Sequence, residues 1–241
     1  MWWLVIPAIG LVGKVIYDVV TEEDTPVSTS KPTFELIDLN NRLMSLKKLP
    51  VPISNTTLEL NLERLGREID LNSGYKIAIL GQPGAGKSSL LKKMTQNKVV
   101  PLPIIGTQTD ATNWADDINC NLLSRYENYV FADVPGYDTL LHPMNVFGAK
   151  FPFQKFDAFI FVIHGKLHSA DQDMFRLAAR TGKYICVARS FSDSLDNDEL
   201  FAVESDIRMR LGLKNTIPVL FFSNRTNKGV NAVFNSIRSK P

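Results

Sequence analysis

One octapeptide constrains the fold of this 241-residue chain more than any other feature. Residues 81–88 read GQPGAGKS and satisfy the phosphate-binding loop pattern G-x-x-x-x-G-K-[ST] at every fixed position. The apolar run 77–80 precedes the octapeptide, and the helix-like segment 88–96 follows it. In that setting the loop N–H groups and the helix N-terminus face a polyphosphate. The pattern therefore predicts that the chain binds a nucleoside triphosphate.

Two side chains of the loop have distinct expected roles. We expect the Lys87 ammonium to reach the β- and γ-phosphates as a catalytic group, and the Ser88 hydroxyl to ligate magnesium. A glycine-rich turn without a ligand is the alternative, and the complete motif in its strand–helix context disfavours it. The predicted phosphate contacts are Gly81, Gln82, Pro83, Gly84, Ala85, Gly86, Lys87, Ser88 and Ser89.

A second motif, DVPG at 133–136, ends the β-rich run 127–132. An aspartate at the end of a strand, followed three residues later by glycine, is the D-x-x-G arrangement of P-loop nucleotide hydrolases. Asp133 is predicted to hold magnesium through a water, and the Gly136 N–H to sense the γ-phosphate in catalysis. Many surface turns carry the same pattern, so its weight comes from its place after a complete phosphate loop.

With two degenerate runs, VARSFSD at 187–193 and FFSN at 221–224, these motifs make residues 75–241 resemble the Ras-like and Era-like GTPases. Within that group the chain is most similar to the immunity-related GTPases and their bacterial relatives. The resemblance implies an α/β P-loop NTPase fold, a Ras-like G domain with a mainly parallel six-stranded sheet and helices on both faces, and GTP/GDP with Mg²⁺ as ligands. Apolar runs predict strands at 75–80, near 119–123, and at 127–133, 157–163, 183–188 and 217–222, between helical patterns.

The resemblance also implies a threonine between the two motifs that closes over magnesium and the γ-phosphate. Thr107 and Thr109 are both candidates for this metal-binding and catalytic role, and spacing does not choose between them. A solvated polar loop is the alternative interpretation of the segment. The predicted switch-like loop after Asp133 contains Gly136 and Gly148.

A base-reading segment is implied where these GTPases carry [NT]-K-x-D. Here serine and phenylalanine replace the first two residues, and Asp193 remains. Phe191 is expected to stack on a purine and Asp193 to accept hydrogen bonds from guanine. The alternative is that Asp193 caps the next helix. Ser223 and Asn224 stand where S-A-K meets the guanine oxygen, although a plain turn explains them equally well.

Tyr137 bears on the rate of hydrolysis. It follows Gly136 at the position where Ras-like switches hold the glutamine that orients the attacking water. A tyrosine does not place water with the same geometry, so we expect slow intrinsic hydrolysis. Another residue, a partner acting in trans or bound cations would then place the water.

The N-terminal part of the chain is organised differently. Residues 1–20 form an apolar run interrupted by Lys14 and Asp18, and about 20 mainly apolar residues are enough to cross a bilayer. We predict a membrane anchor there, with a helix docked on protein and a signal peptide as alternatives. Residues 21–33 are predicted to be a linker, 34–73 a helical extension, and 74–241 the G domain.

Composition restricts the partners. The net charge of +2, with no basic run, gives no reason to expect nucleic acid. His142, His164 and His168 lack the spacing of a ligand set and are predicted to be surface or cap residues. The expected location is the membrane, with the G domain in the cytoplasm; a soluble cytoplasmic protein is the alternative. An effector or activating protein and a homodimer are both compatible with the sequence.

Three functions fit these features. The first is a membrane-tethered GTPase switch, the second an ATP-binding P-loop enzyme or pump subunit, and the third a scaffold that holds nucleotide without hydrolysing it. Nucleotide preference separates the first from the second. Turnover separates the first from the third.

Overall fold

One mixed sheet organises the part of the chain that the structure describes. The computed structural model describes residues 55–106 and 112–240. The predicted anchor at 1–20, the predicted linker at 21–33 and the beginning of the predicted extension lie outside those residues. Within the described ranges, no helix combines the length and the apolar character needed to cross a bilayer.

Strands and helices alternate along the chain. The strands are β1 (Tyr75–Leu80), β2 (Ser124–Tyr126), β3 (Tyr129–Asp133), β4 (Ala158–Ile163), β5 (Tyr184–Arg189) and β6 (Val219–Phe221). The helices are α1 (Thr57–Leu71), α2 (Lys87–Met94), α3 (Met144–Lys150), α4 (Ser169–Ala179), α5 (Asn197–Leu211) and α6 (Val230–Arg238). Short 3-10 turns cover Phe153–Lys155 and Ser192–Ser194.

The strand order is β2-β3-β1-β4-β5-β6. Strand β2 is antiparallel to β3, and every other neighbouring pair is parallel. All of β4 is buried, because a parallel strand inside a sheet covered on both faces has no solvent side. The predicted α/β fold, with a mainly parallel six-stranded sheet and helices on both faces, is confirmed.

Each face of the sheet has its own core. On one face Ala78 and Leu80 pack with side chains of α1, α3, α4 and α5. On the other face Ile77 and Ile79 pack with α2 and α6, since successive strand residues point to opposite faces. The carboxyl ends of the parallel strands meet at one edge, where open α/β sheets bind their ligands.

Helix α1 is the described part of the predicted extension 34–73. Thr56 and Glu59 form a reciprocal capping box that starts it. Leu58, Leu62, Leu65 and Ile69 make its buried stripe and join the same core as the sheet. The helix is therefore packed into the G domain, with its apolar face against α3 and the 3-10 turn at Phe153–Lys155.

Two sequence expectations are wrong. Residues 119–123 form no strand: the Asp117 carboxylate accepts from Asn119 N at 2.8 Å, and the Asp117 carbonyl accepts from Cys120 N at 3.3 Å. That turn chemistry takes backbone groups that a ladder needs, so the short β2 begins only at Ser124. Gly148 lies inside α3 instead of in a loop.

Candidate functional site

The glycine-rich loop follows β1 and begins with strained backbone that only glycine adopts readily. Gly81, Gly84 and Gly86 have φ of 149°, 73° and 93°. A Cβ on Gly81 would lie 2.2 Å from the Val162 carbonyl oxygen, and one on Gly86 would lie 2.6 Å from Asn224 Nδ2. These close approaches explain why the loop needs glycine at both positions.

Lys87 is the first residue of α2 and is buried. Its Nζ donates to the carbonyls of Gly81 at 2.9 Å and Gln82 at 3.0 Å. The loop therefore encircles its own lysine, at the positive end of a helix. A buried ammonium beside loop N–H groups is a site for phosphate.

Three oxygen-bearing side chains meet beside this lysine. Ser88 Oγ donates to Asp133 Oδ2 at 2.5 Å, and Thr112 Oγ1 donates to the same oxygen at 3.3 Å. The two hydroxyls are 3.4 Å apart. Ser88 is the second residue of α2, Asp133 ends β3, and Thr112 belongs to the segment between α2 and β2. Hydroxyl and carboxylate oxygens are the hard ligands that Mg²⁺ prefers.

One oxygen of the Asp133 carboxylate receives no hydrogen bond from the described residues. That oxygen, Oδ1, is buried. Burial raises the pKa of this carboxyl above its ordinary value, against the opposing effect of the Lys87 ammonium. A buried, unpaired carboxylate oxygen beside two hydroxyls fits a bound cation, so the residues present fit Mg²⁺.

Gly136 lies against the phosphate loop. A Cβ there would come within 2.4 Å of the Pro83 ring, so any side chain at this position would push the two loops apart. The backbone after β3 is thereby held next to the loop before α2. This is the arrangement in which a Gly136 N–H reaches a phosphate bound by the loop.

The Tyr137 side chain is not free to act at that phosphate position. It is fully buried, and its hydroxyl donates to Asp171 Oδ1 at 2.8 Å. The other Asp171 oxygen accepts from His168 N at 2.9 Å, at the start of α4. Burial, with the Asp171 charge, raises the pKa of the Tyr137 phenol well above its ordinary value. The phenol is a neutral strut between the DVPG loop and α4.

A second pocket, of about 240 Å³, opens beyond the phosphate loop. It gathers the residues that the sequence predicts for base reading, from the loops after β5 and β6. The lining residues are Phe191, Asp193, Ser194, Ser223, Asn224 and Arg225. The alternative role for Asp193 is not realised, because Asp196 is the N-cap of α5 and forms its capping box with Glu199.

The Asp193 carboxylate is directed at hydrogen-bond donors. It accepts from the Ser223 hydroxyl and pairs with the Arg225 guanidinium, and these contacts hold its pKa below the usual range. The side chain of Asp193 is 14% exposed and that of Arg225 is 79% exposed. An ionised, largely enclosed carboxylate therefore borders the pocket, paired with a solvent-exposed guanidinium.

Phe191 and Asn224 frame the same pocket. Phe191 has a left-handed backbone, with φ of 57°, and its ring centroid lies 4.3 Å from that of His164. Asn224 Nδ2 donates to the Gly86 carbonyl at 3.1 Å and so ties the base-side loop to the phosphate loop. The phosphate-loop site and the base-side pocket are thus parts of one continuous site.

The structure adds a threonine that the sequence did not single out. Thr107 and Thr109 lie outside the described residues and stay predictions. Thr112, instead, is the described threonine beside Ser88 and Asp133. The available signal was Trp114, two positions later, since a buried indole fixes the backbone next to it.

One histidine prediction is wrong and two hold. His164 and His168 are exposed, and His168 is the N-cap of α4. His142, in contrast, is 1% exposed, and its Nε2 accepts from Trp114 N at 3.1 Å. It is a buried hydrogen-bond acceptor because the loop before α3 folds back onto the segment after Thr112.

Comparisons with known proteins place this geometry in context. Residues 76–189 match the family model described as 50S ribosome-binding GTPase. The GTPase Der of Rippkaea orientalis is 28% identical over 187 residues, which is 71% of this chain and 39% of that protein. The GTPase Der of Lachnoclostridium phytofermentans is 27% identical over 173 residues, which is 67% of this chain and 38% of that protein.

Among solved structures, that of a probable GTP-binding protein engB matches with a TM-score of 0.50 and 16% identity, covering 68% of this chain and 97% of that one. At this identity the likeness shows the fold, a Ras-like G domain. The chain spans about two fifths of the length of the two curated relatives. None of these three proteins is an immunity-related GTPase, so that finer resemblance stays a prediction.

Proposed function

We propose that this chain carries a P-loop GTPase domain, which the match of residues 76–189 and the similarity to GTPase Der support, and that it is a membrane-associated switch that selects GTP and hydrolyses it slowly. The observation that carries the guanine part is the Asp193 carboxylate at the base pocket. Guanine offers N1–H and N2–H₂ donors to a carboxylate, whereas adenine presents an acceptor at N1. An ionised aspartate in this position therefore favours GTP and GDP over ATP.

The phosphate side of the site assigns a role to each residue. Lys87 and the loop N–H groups would bind the β- and γ-phosphates, and Gly136 N–H would meet the γ-phosphate. Ser88, Asp133 and Thr112 would hold Mg²⁺, the last two directly or through water. When bound, Mg²⁺ neutralises charge that develops on the phosphates during transfer. Thr112 thus joins Thr107 and Thr109 as a candidate for the threonine that closes over the metal.

Slow hydrolysis follows from the place of Tyr137. Its hydroxyl is committed to Asp171 in the core, so the position after Gly136 supplies no side chain to orient a water. A protein partner that contributes a group in trans would raise the rate. A scaffold without turnover is the second candidate function, and the same buried tyrosine favours it.

Membrane association rests on residues 1–20, whose apolar character supports an anchor. With the G domain on the cytoplasmic side, a change between GTP and GDP would alter the loops that carry Thr112 and Gly136. An effector protein, or a second copy of the chain, would read that surface.

Calorimetry on the detergent-solubilised full chain tests the nucleotide assignment. GTP and GDP with Mg²⁺ should bind at least tenfold more tightly than ATP, and Asp193→Asn should remove most of that preference, since a hydrogen bond to a charged group contributes about 1.5–3 kcal/mol. If the unaltered chain bound ATP as tightly as GTP, the protein would instead be an ATP-binding P-loop protein.

A single-turnover assay with GTP separates the slow enzyme from the scaffold. We expect conversion of bound GTP to GDP over many minutes. Fast turnover by the isolated chain would refute the role given to Tyr137, and complete absence of turnover would establish the scaffold.

A further inference from the structure

Both backbone polar groups of Trp114, its N–H and its carbonyl, are hydrogen-bonded to buried side chains. Asn61 of α1 donates its Nδ2 to the Trp114 carbonyl at 2.8 Å and to the Asp117 carbonyl at 2.9 Å. On the other side His142 Nε2 accepts from Trp114 N at 3.1 Å. Asn61, Trp114 and His142 are each at most 1% exposed. We refer to these three residues as the clamp.

The rest of the network fixes the orientation of the Asn61 amide and the backbone of His142. Asn61 Oδ1 accepts from Arg64 Nε at 3.2 Å and Nη2 at 3.0 Å, and Arg64 Nη2 also donates to the Cys120 carbonyl at 2.5 Å. The amide group therefore has one orientation, with its donors on Trp114 and Asp117. His142 N donates to Thr139 Oγ1 at 3.0 Å, which fixes the histidine backbone.

Thr112 lies two residues before the clamped tryptophan. Its own contacts are long, 3.3 Å to Asp133 Oδ2 and 3.4 Å to Ser88 Oγ, and hydrogen bonds of that length hold a hydroxyl weakly. The clamp restrains the backbone two residues after Thr112, because it combines a buried indole with hydrogen bonds to both backbone polar groups of Trp114.

We propose that Asn61 and His142 are positioning residues for Thr112, and that helix α1 is a working part of the magnesium–triphosphate site. The inference rests on the proposed function, in which Thr112 supports Mg²⁺ and the γ-phosphate. If only a fraction of the protein molecules has the binding-competent form of the site, the apparent affinity for the ligand falls to that fraction of its intrinsic value. The clamp raises the fraction of molecules whose site is competent to bind GTP. GDP lacks the γ-phosphate and depends less on Thr112.

The test compares Mg²⁺-GTP and Mg²⁺-GDP affinities of the full chain and four variants. These are Asn61→Ala, Thr112→Ala, their double mutant, and the control Arg67→Ala, which removes an exposed side chain from the same helix. We expect Asn61→Ala and Thr112→Ala each to weaken GTP roughly five- to fiftyfold and GDP by less than twofold. The double mutant should lose little more than either single mutant, and Arg67→Ala should change neither affinity.

The outcomes separate the inference from the proposed function. If Thr112→Ala leaves GTP affinity unchanged, the role of Thr112 fails and the inference falls with it. If Thr112→Ala has its effect but Asn61→Ala does not, or the two effects add in full, the clamp is refuted alone. Equal losses of GTP and GDP in Asn61→Ala would show general damage to the fold and would also refute it.

A second measurement leaves the clamp unmutated. In the full chain with Trp2→Phe and Trp3→Phe, Trp114 is the one remaining tryptophan. Its emission should stay shielded from acrylamide without nucleotide, with GDP and with GTP, because the clamp is a fixed anchor. An increase in quenching when either nucleotide binds would show that the clamp opens with the site, and would overturn the proposal.

Discussion

At the scale of single residues, the proposed reading of guanine depends on the Asp193–Arg225 pair. The carboxylate that should accept from the base already accepts from a guanidinium on the neighbouring loop. Both donors need the same oxygens, so Arg225 competes with the base. Its side chain is 79% exposed, which allows it to leave at low cost.

Arg225→Ala should therefore tighten GTP and GDP binding. An ion pair whose cation is solvent-exposed contributes little, so the gain is at most roughly fivefold. Arg180→Ala, which removes another exposed cation, is the matched control and should have no effect. Weaker guanine binding in Arg225→Ala would mean instead that the guanidinium contacts the bound nucleotide.

The carboxyl of Asp133 should make Mg²⁺-dependent nucleotide affinity depend on pH. Burial raises the pKa of this carboxyl in the metal-free protein, and Mg²⁺ binds the ionised form. As pH falls through that raised pKa, the proton competes with the metal, so Mg²⁺-dependent nucleotide affinity should decline at a higher pH than for a solvent-exposed aspartate. Calorimetric titrations across mildly acidic pH check this, with nucleotide in the absence of Mg²⁺ as the control. Mg²⁺ affinity that stays constant throughout that range would contradict it.

At the scale of elements, the Tyr137 strut joins the DVPG loop to α4. Tyr137→Phe keeps the ring and leaves Asp171 Oδ1 without its donor, which costs about 1–3 kcal/mol. For a domain of this size the melting temperature should fall by about 2–10 °C. The single-turnover rate should not change, since the hydroxyl lies in the core. A changed rate at unchanged stability would place the phenol in catalysis.

Elements with strong local signals could be predicted from the sequence. Apolar runs predicted the six strands to within a few residues, apart from β2, where the turn at Asp117 overrides the apolar Leu122. The helical spacing of Leu58, Leu62 and Leu65 predicts helix α1. A helical extension was predicted there, but the contacts that Asn61 makes were not.

At the scale of the whole molecule, the unpredicted features are contacts between distant parts of the chain. Asn61 and Trp114 are 53 residues apart, and Asn224 and Gly86 are 138 apart. Nothing local marks one asparagine among many as a buried donor. The phosphate loop could be located from sequence because its chemistry lies in consecutive residues, whereas Thr112, His142 and Arg225 acquire their surroundings only when the sheet brings loops together.

The most direct test is calorimetric binding of GTP, GDP and ATP with Mg²⁺ to the full chain, beside Lys87→Ala. Guanine nucleotides should bind selectively, and Lys87→Ala should abolish that binding because the buried ammonium is the principal cation at the phosphates. Binding of ATP as tight as that of GTP, or guanine binding unchanged in Lys87→Ala, would contradict the assignment of the site.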